Sequence, residues 1–233
     1  MDIYGKGLTA YFNGKYEAAF VVESDVAEQE IWPIEVFFRN YAQMPALEQE
    51  ALRLCKGRVL DIGAGAGSHA LYLQEQGLDT TALDISPCAT NVMRKRGVRE
   101  VIESDFFTYA EGQFDTLLLL MNGIGIAGKL ERLPEFFQQC RKLLKPNGQI
   151  LLDSSDILYL FAEEDGSVMI DLNADYYGEI NYQYCFLNEC GDFFPWLFVD
   201  FDTLSSFAEE NGFKCEMVME DDHFQYLARI TPQ

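Results

Sequence analysis

The most specific chemical pattern in this sequence is formed by four residues at regular spacing. Asp61 ends an apolar run, and Gly63, Gly65 and Gly67 follow it at every second position. Glycines at this density let a ligand approach the backbone closely, and a carboxylate beside them can accept hydrogen bonds from an amino group or a hydroxyl. The pattern therefore predicts a ligand site.

Three kinds of ligand compete for this loop. A phosphate loop of the form G-x-x-x-x-G-K-[ST] needs a lysine, and none follows Gly67, which excludes that form. A dinucleotide loop of the form G-x-G-x-x-A is matched by Gly65, Gly67 and Ala70. A ligand without phosphate suits the acid and the alternating glycines. The loop alone does not decide between the last two.

Further acids stand where other predicted strands end. Asp84 closes the run 79–84, and Asp105 closes the run 98–105. Because the carboxyl ends of parallel strands open on one crevice, we expect these acids to meet Asp61 there. A nicotinamide dinucleotide also needs an acid about twenty residues after its loop, so Asp84 by itself leaves that ligand open.

The elements that position these acids alternate along the chain. The predicted strands are 58–62, 79–86, 98–105, 114–121 and 149–156, with helices between them. This alternation predicts an α/β fold with a doubly wound, Rossmann-like, mostly parallel sheet. Residues 213–219 and 224–230 alternate apolar and polar around the turn 220–223, which predicts a C-terminal antiparallel hairpin.

Taken together, these features resemble the class I methyltransferases that depend on S-adenosylmethionine (SAM). The run from Asp61 to Gly67 is similar to the first motif of that family. The acids at two further strand ends and the closing hairpin are similar to its later elements. The resemblance implies a seven-stranded sheet and SAM as the cofactor, and it favours SAM over a nicotinamide dinucleotide.

The resemblance also implies how SAM is held. Asp61 is expected to bind the α-amino group, Asp84 the ribose hydroxyls and Asp105 the adenine amine. Ile85 and Phe106 are expected to enclose the adenine ring, and the helix after the glycines offers free N–H groups to the carboxylate. The expected cofactor-binding residues are Asp61, Gly63, Gly65, Gly67, Asp84, Ile85, Asp105, Phe106 and Asn122.

The segment 121–128, MNGIGIAG, follows the fourth strand and in this family faces the transferred methyl group. Asn122 is our candidate catalytic residue, as a group that orients the acceptor or bonds near the sulfonium, although it can equally cap the loop. The segment lacks the [DN]PP[YF] motif of the amino methyltransferases for nucleic acids and protein glutamine. Because in-line methyl transfer can depend mainly on positioning, no acid–base signature is required.

The domain organisation follows from the same pattern. Residues 1–56 are expected to form an N-terminal helical lid, with helix starts near Ser24 or Asp25, at Pro33 and at Pro45. Residues 57–233 are expected to form the SAM-binding domain, with an aromatic β insert at about 170–200 that also serves as a lid.

Two groups of residues are candidates for acceptor binding. The first is aromatic, and such side chains usually form core, with a cage for a planar or aminated acceptor as the alternative. Its members are Tyr4, Tyr11, Tyr16, Tyr176, Tyr177, Tyr182, Phe193, Phe194 and Trp196. The second is the run Asp153–Asp156, which either binds a cationic or hydroxylated acceptor or caps the next helix. His69 and His223 are expected to be polar residues without a catalytic role.

The composition limits the partners. There are 38 acidic and 17 basic residues, a formal charge of −21, and such a field repels nucleic acid and anionic membranes. The scattered cysteines and two histidines show no metal-ligand spacing, and we expect no metal. Cys185 and Cys190 are close enough in sequence to meet across a hairpin, but reduced thiols are the expectation, without a structural disulfide. With no secretory pattern at the start, a cytoplasmic location is expected, while the oligomeric state stays open.

The sequence thus predicts methyl transfer from SAM to a small-molecule acceptor. Two other functions remain open. One is an NAD(P)-dependent oxidoreductase, which the glycine loop and Asp84 permit. The other is a non-catalytic regulatory subunit that binds SAM, which the lack of a catalytic signature permits. A use of the fold for aminopropyl transfer, as in spermidine synthases, is a more distant possibility.

Overall fold

The structure is a computed structural model, and it describes residues 1–162, 167 and 175–233. Its strands are β1 (Ala19–Ser24), β2 (Glu30–Pro33), β3 (Arg58–Ile62), β4 (Asp79–Asp84), β5 (Glu100–Glu103), β6 (Phe114–Leu119), β7 (Leu144–Ser155), β8 (Glu179–Phe186), β9 (Glu189–Cys190), β10 (Phe194–Leu197), β11 (Phe213–Glu220) and β12 (Gln225–Pro232). Its α-helices are α1 (Ile3–Phe12), α2 (Ala46–Leu54), α3 (Ser68–Glu75), α4 (Pro87–Arg96), α5 (Leu133–Leu143) and α6 (Phe201–Glu210). In the part of the chain described, no helix is both long and apolar enough to cross a membrane.

The central sheet has seven strands in the order β11-β12-β7-β6-β3-β4-β5. The strands from β7 to β5 pair in parallel, whereas β12 runs antiparallel to both β7 and β11. The predicted Rossmann-like sheet with its C-terminal antiparallel hairpin is therefore confirmed. Because β3 lies between β4 and β6, successive connections diverge at its carboxyl end, and a crevice opens there.

Helices cover both faces of this sheet, which explains why its strands are continuous apolar runs. Successive side chains of β6 point to opposite faces. Leu118 packs with the residues of α2 and α3, while Leu117 and Leu119 pack with those of α5 and α6. Each fully buried leucine contributes about 1.5–3 kcal/mol relative to an exposed one. The sheet is thus a frame from which the loops at the carboxyl ends project.

A second sheet, which we call the small sheet, joins the N-terminal segment to the insert. Its strands follow the order β10-β8-β1-β2, and β9 pairs with β8. β1 runs antiparallel to β8, with Val21 opposite Cys185 and Ser24 opposite Tyr182. The two segments that the sequence presents as separate lids therefore share one sheet. Residues 170–174 of the predicted insert lie outside the described residues.

The prediction of helix throughout the N-terminal segment is wrong over β1 and β2. Phe20 and Val22 are buried in alternation with more exposed neighbours, which is the period of a strand. Ser24 ends β1, and its hydroxyl accepts a hydrogen bond within a turn where a helix start was expected. Pro33 and Pro45 do immediately precede helical turns, as predicted.

The expectation of no structural disulfide is also wrong. Cys185 of β8 and Cys190 of β9 are bonded, and they stand directly opposite each other in this hairpin with their Cα atoms 4.0 Å apart. Cross-strand pairing of this kind is decided by register, and the hairpin pairing that the sequence left as the alternative is the one that forms. The cysteines that stay free are Cys55, Cys88, Cys140 and Cys215.

Candidate active site

A cleft of about 1040 Å³ opens at the carboxyl ends of the parallel strands. Asp61, Asp84 and Asp105 all line it, so the structure brings the three predicted acids to one cavity. The small sheet closes the opposite side. Ligand pockets commonly measure about 300–1,000 Å³, so this cleft has room for a nucleoside cofactor and a second small molecule.

The glycine loop at the base of the cleft needs its glycines for two different reasons. Gly63, Gly65 and Gly67 have φ values of 71°, 55° and 81°, a region that other residues adopt only with strain. A Cβ on Gly63 would meet no atom within 4 Å, so the backbone there borders open space. A Cβ on Gly67 would instead press against Met93 and Val98. Gly63 therefore leaves room for a ligand, whereas Gly67 permits close packing of α3 against α4.

Asp61 is a buried carboxylate with an unused acceptor. It is the penultimate residue of β3, is 1% exposed, and its Oδ2 atom has no hydrogen-bond partner. Burial raises the pKa of Asp61, an effect that the nearby His69 partly offsets. An orphaned carboxylate oxygen in a cavity wall suits a cationic group, because an unpaired buried acceptor costs about 1–3 kcal/mol. The amino group of SAM is such a partner, and Asp61 fits the predicted role.

Asp84 is held rigidly at the end of β4. Its Oδ2 accepts from the N–H of Gly65 at 2.8 Å, and its Oδ1 accepts from the N–H of Ser86 at 2.8 Å. The carboxylate thus ties the glycine loop to the start of α4. Burial raises the pKa of Asp84 to about 6, with the two backbone N–H groups acting in the opposite direction. Each oxygen keeps a free lone pair, as binding of two ribose hydroxyls requires.

The residues expected around adenine are placed unequally. Asp105 is exposed in the cleft, and its Oδ1 accepts from the N–H of Phe107 at 2.8 Å. Ile85 is 68% exposed at the cleft wall, whereas Phe106 is only 5% exposed and packs edge-on against Phe107. Ile85 therefore offers an open apolar surface, and Phe106 contributes mainly to the core. The adenine contacts of these residues stay predictions.

Asn122 lies in a strained turn at the end of β6. Both Met121 and Asn122 have left-handed backbones, with φ values of 63° and 56°. Asp153 stabilises this turn, since its carboxylate accepts from the N–H groups of Met121 and Gly123 at 3.1 and 3.3 Å. Non-glycine residues in this conformation cost about 1–3 kcal/mol each and cluster at functional sites. The turn forms the floor of the cleft between β6 and β7.

The side chain of Asn122 forms hydrogen bonds with two neighbouring strands. Its Nδ2 donates to the carbonyl of Leu197 at 3.1 Å, and its Oδ1 accepts from the hydroxyl of Ser154 at 2.9 Å. These bonds fasten the turn to β10 and β7. The side chain makes no capping hydrogen bond to the helical turn that follows it. The catalytic role of Asn122 therefore stays a prediction.

Three residues near the glycine loop were not predicted as site residues. His69, in the first turn of α3, bonds through Nε2 to Oε2 of Glu48 at 2.9 Å, and Arg39 donates to the other oxygen of Glu48 at 2.6 Å. Burial favours the neutral ring of His69, but the carboxylates of Glu48 and Asp61 prevail and raise its pKa. The Nε atom of Arg39 is buried without a partner, which suits an anionic group such as the carboxylate of SAM. No local signal in the sequence links these residues.

Of the aromatic candidates, about half reach the cleft. Tyr4 stands over Gly65, and Tyr182, Phe194 and Trp196 line the side formed by the small sheet. The candidates that do not line it are Tyr11, Tyr16, Tyr176, Tyr177 and Phe193. Three aromatic residues of this wall were not predicted, namely Trp32, Tyr184 and Phe198. Their contribution depends on strand pairing between distant segments.

The residues of the run Asp153–Asp156 differ in what they contact. Asp153 and Ser155 line the cleft. Asp156 instead accepts from the hydroxyl of Tyr177 at 2.8 Å and caps the following turn through the N–H of Leu158. Asp153 and Ser155 are thus placed where an acceptor could bind, whereas Asp156 has the capping role. Over the described ranges, no cluster of His, Cys, Asp and Glu could hold a metal ion.

Comparison with known sequences points to one family. A family model described as a methyltransferase domain matches residues 60–152. Phosphoethanolamine N-methyltransferase of Plasmodium falciparum is 31% identical over 50% of this chain and 48% of its own length. Ubiquinone biosynthesis O-methyltransferase of Xanthomonas oryzae pv. oryzae is 27% identical over 44% of this chain and 45% of its own. The chain spans about half the length of these curated relatives.

One solved structure matches almost the whole chain. It is a SAM-dependent methyltransferase from Bacteroides fragilis in complex with S-adenosyl-L-homocysteine (SAH), 44% identical, with a TM-score of 0.93. The match covers 99% of this chain and 94% of that one, and it disfavours a nicotinamide cofactor. The acids and glycines that the cleft brings together are those expected for SAM. The chain belongs to the class I SAM-dependent methyltransferases.

Proposed function

We propose that the protein transfers the methyl group of SAM to a small-molecule acceptor within this cleft. The observation that carries the proposal is that one cavity joins the three carboxylates of the central sheet to the aromatic wall of the small sheet. SAM held by the carboxylates of the central sheet has its sulfonium directed toward the aromatic wall of the small sheet. No other part of the cleft is needed to bring two molecules into contact.

The central sheet supplies the cofactor contacts in this proposal. Asp61 accepts from the α-amino group, Asp84 from the ribose hydroxyls and Asp105 from the adenine amine. The free N–H groups at the start of α3 and the guanidinium of Arg39 attract the carboxylate. When bound, SAM supplies a methyl group activated by a sulfonium, and these residues hold it in one orientation.

The small sheet and the turn at Asn122 supply the second requirement, which is alignment of the acceptor. In-line displacement needs the nucleophile, methyl and sulfur in a row, and such positioning can lower the barrier by about 7–11 kcal/mol. The turn between Met121 and Gly123 is fixed by Asp153, and the aromatic wall stands opposite. Together they leave the acceptor few orientations and exclude water.

Three features support a small acceptor. The cleft is walled on both sides by sheet, and the charge of −21 disfavours nucleic acid. Two relatives, phosphoethanolamine N-methyltransferase and ubiquinone biosynthesis O-methyltransferase, are also named for small molecules. A cytoplasmic location belongs to the same proposal and stems from the sequence alone.

Calorimetry followed by a turnover screen tests this proposal. SAH should bind to the purified protein at submillimolar concentration or tighter, and NADH should not. A screen of small amines, phenols and carboxylic acids with SAM should then yield a methylated product detected by mass spectrometry. Binding of NADH in place of SAH would contradict the proposal. Binding of SAH without transfer to any acceptor would favour the regulatory subunit instead.

A further inference from the structure

The acceptor side of the cleft has an aromatic wall of closely spaced rings. Trp32 lies 6.1 Å from Tyr184 between ring centroids, Tyr184 lies 5.5 Å from Phe194, and Phe194 meets Trp196 edge-on at 6.1 Å. These rings come from β2, β8 and β10, so they span most of the small sheet. Aromatic faces attract cations as well as apolar groups. The wall alone is compatible with a neutral or a cationic acceptor.

The charges around the cleft are the second observation. The acids that line it are Glu30, Glu48, Asp61, Asp84, Asp105 and Asp153. The arginines that line it are Arg39, which is paired with Glu48, and Arg132, which lies over the ring of Phe107 and is paired with Glu135. Neither guanidinium stands beside the aromatic wall as a free cation. Two histidines, His69 and His223, also line the cleft. Burial lowers the pKa of His69, but Glu48, Asp61 and Asp153 raise it overall, and the ring is already bonded to Glu48. Residues 163–174, part of which the structure does not describe, contain no lysine or arginine in sequence.

The proposed cofactor contacts leave two lining carboxylates outside the Arg39–Glu48–His69 group unused, Glu30 and Asp153. Glu30 is exposed and accepts from the indole N–H of Trp32, whereas Asp153 is buried. It ends β7 on the floor of the cleft, is 9% exposed, and accepts one backbone N–H at each oxygen. Each oxygen keeps a lone pair for a further donor. Burial raises the pKa of Asp153 to about 7, which makes it a better proton acceptor than an ordinary aspartate. Asp153 lines the same cleft as the aromatic wall, and Gly123, which donates to Asp153, is two residues from Gly125, against which Trp196 packs. An ammonium group in the cleft can therefore reach this carboxylate.

We propose that the acceptor is a primary or secondary amine with an apolar body and without a phosphate or carboxylate group, paired with Asp153. This inference rests on the proposed function and names its substrate class. Amines of this kind are cationic in water, so the acidic cleft attracts them, while an anionic group would find no free cation beside the wall. The proposal distinguishes this chain from an enzyme that requires a phosphorylated acceptor.

The transfer step balances without another reactant. The ammonium first gives one N–H proton to Asp153, directly or through water, and its lone pair is then free. This pair forms the new N–C bond to the methyl group, and the C–S bond breaks with its electron pair remaining on sulfur. The product amine carries the positive charge that the sulfonium loses. The aromatic wall faces that charge before and after the transfer.

Tryptophan fluorescence provides a test that does not depend on turnover. The chain has two tryptophans, Trp32 and Trp196, and both line the cleft. With SAH present, the protein is titrated with 2-phenylethylamine, with its neutral counterpart 2-phenylethanol, with phenylalanine, and with cyclohexylamine, octylamine and phosphoethanolamine. Amines without an anionic group should change the fluorescence with a dissociation constant about tenfold lower than that of 2-phenylethanol. Phenylalanine and phosphoethanolamine should bind no better than 2-phenylethanol.

Two matched variants test whether Asp153 is the carboxylate that gives the preference for amines. Asp153→Asn keeps the size of the side chain but replaces one of the two oxygens that accept the Met121 and Gly123 N–H groups. It should remove the tenfold preference for amines, and binding of 2-phenylethanol, measured alongside, reports any change in the turn itself. Asp156→Asn makes the same change outside the cleft lining and should preserve the preference. A thermal melt of each variant confirms that it is folded.

Several results would overturn this inference. These are equal binding of phenylalanine or phosphoethanolamine, an unchanged preference in Asp153→Asn, or no binding of any amine by a protein that binds SAH. Methylation of phenols or acids alone would also overturn it while leaving the proposed function intact. Failure to bind SAH would instead contradict the proposed function itself.

Discussion

The two sides of the cleft are built in different ways. On the proposed cofactor side, the three acids lie within two residues of the ends of three strands that are consecutive in sequence, so short local motifs place them. On the acceptor side, the wall depends on pairing of β1 with β8, where Ser24 meets Tyr182. The cofactor side is thus fixed by local chain geometry, and the acceptor side by long-range register. A change on either side should therefore leave the other largely intact.

The largest effect should come from Asp84→Ala on the cofactor side. The substitution removes the acceptors of the Gly65 and Ser86 N–H groups together with the expected ribose contacts. Hydrogen bonds to a charged group contribute about 1.5–3 kcal/mol each, so affinity for SAH should fall at least about 100-fold in calorimetry. Asp79→Ala, at the opposite end of β4, is the matched control and should bind SAH normally. Equal affinity in both variants would show that SAH does not use the Asp84 carboxylate.

The next largest effect should come from Trp196→Leu on the acceptor side. Trp196 lies against the loop at Gly125 and lines the cleft. Loss of its ring should raise the KM for the best acceptor found in the screen about tenfold, because aromatic contacts contribute about 0.5–1.5 kcal/mol beyond their area. Affinity for SAH should change less than twofold. A comparable loss of SAH binding would show that the two sides are not separable.

Acidification should weaken the cofactor side. The pKa of Asp84 in the folded protein is raised to about 6, and the ribose hydroxyls donate to the ionised form. Affinity for SAH is therefore complete well above pH 6 and falls as the pH drops through that value. Each pH unit below the pKa reduces the ionised fraction tenfold, so binding at pH 5 should be about tenfold weaker than at pH 7.5. In Asp84→Asn the profile should be flatter, and tighter binding at pH 5 in the native protein would contradict this assignment.

The smallest effect should come from Asp2→Ala, which tests the link between the two sides. Asp2 caps α1 through the N–H of Gly5 and also accepts from the hydroxyl of Ser86 and the N–H of Cys88 at the start of α4. Loss of such a cap costs about 1 kcal/mol. If this cost reduces cofactor binding in full, the affinity for SAH should fall about fivefold. Asp25→Ala, in the turn after β1, is a control away from α4. A native SAH affinity in Asp2→Ala would show that α1 does not support the cofactor side.

The sequence predicts the cofactor side well because its signals are local. The glycines, Asp61, Asp84 and Asp105 each lie within a few residues of a strand end, and the alternation of strands and helices determines where those ends meet. Polar contacts of Asp84 could not be read from the chain, since they depend on the exact path of the loop. Its predicted place in the cleft was nevertheless correct.

The sequence predicts the acceptor side poorly for a physical reason. Residues 19–24 and 30–33 form strands that pair with each other, and the first of them also pairs with the distant β8. The local pattern of acids after Ser24 instead favours a helix start. The Arg39–Glu48–His69 group joins two helices and a turn, so no regular spacing in the sequence predicts it. The disulfide between Cys185 and Cys190 likewise follows from hairpin register.

The most direct test of the central claim is a crystal structure of the protein with SAH bound. We predict the amino group within hydrogen-bond distance of Asp61, the ribose hydroxyls on Asp84, the adenine amine near Asp105, and the sulfur facing the aromatic wall of the small sheet. SAH bound elsewhere, or with its sulfur turned away from that wall, would contradict the account.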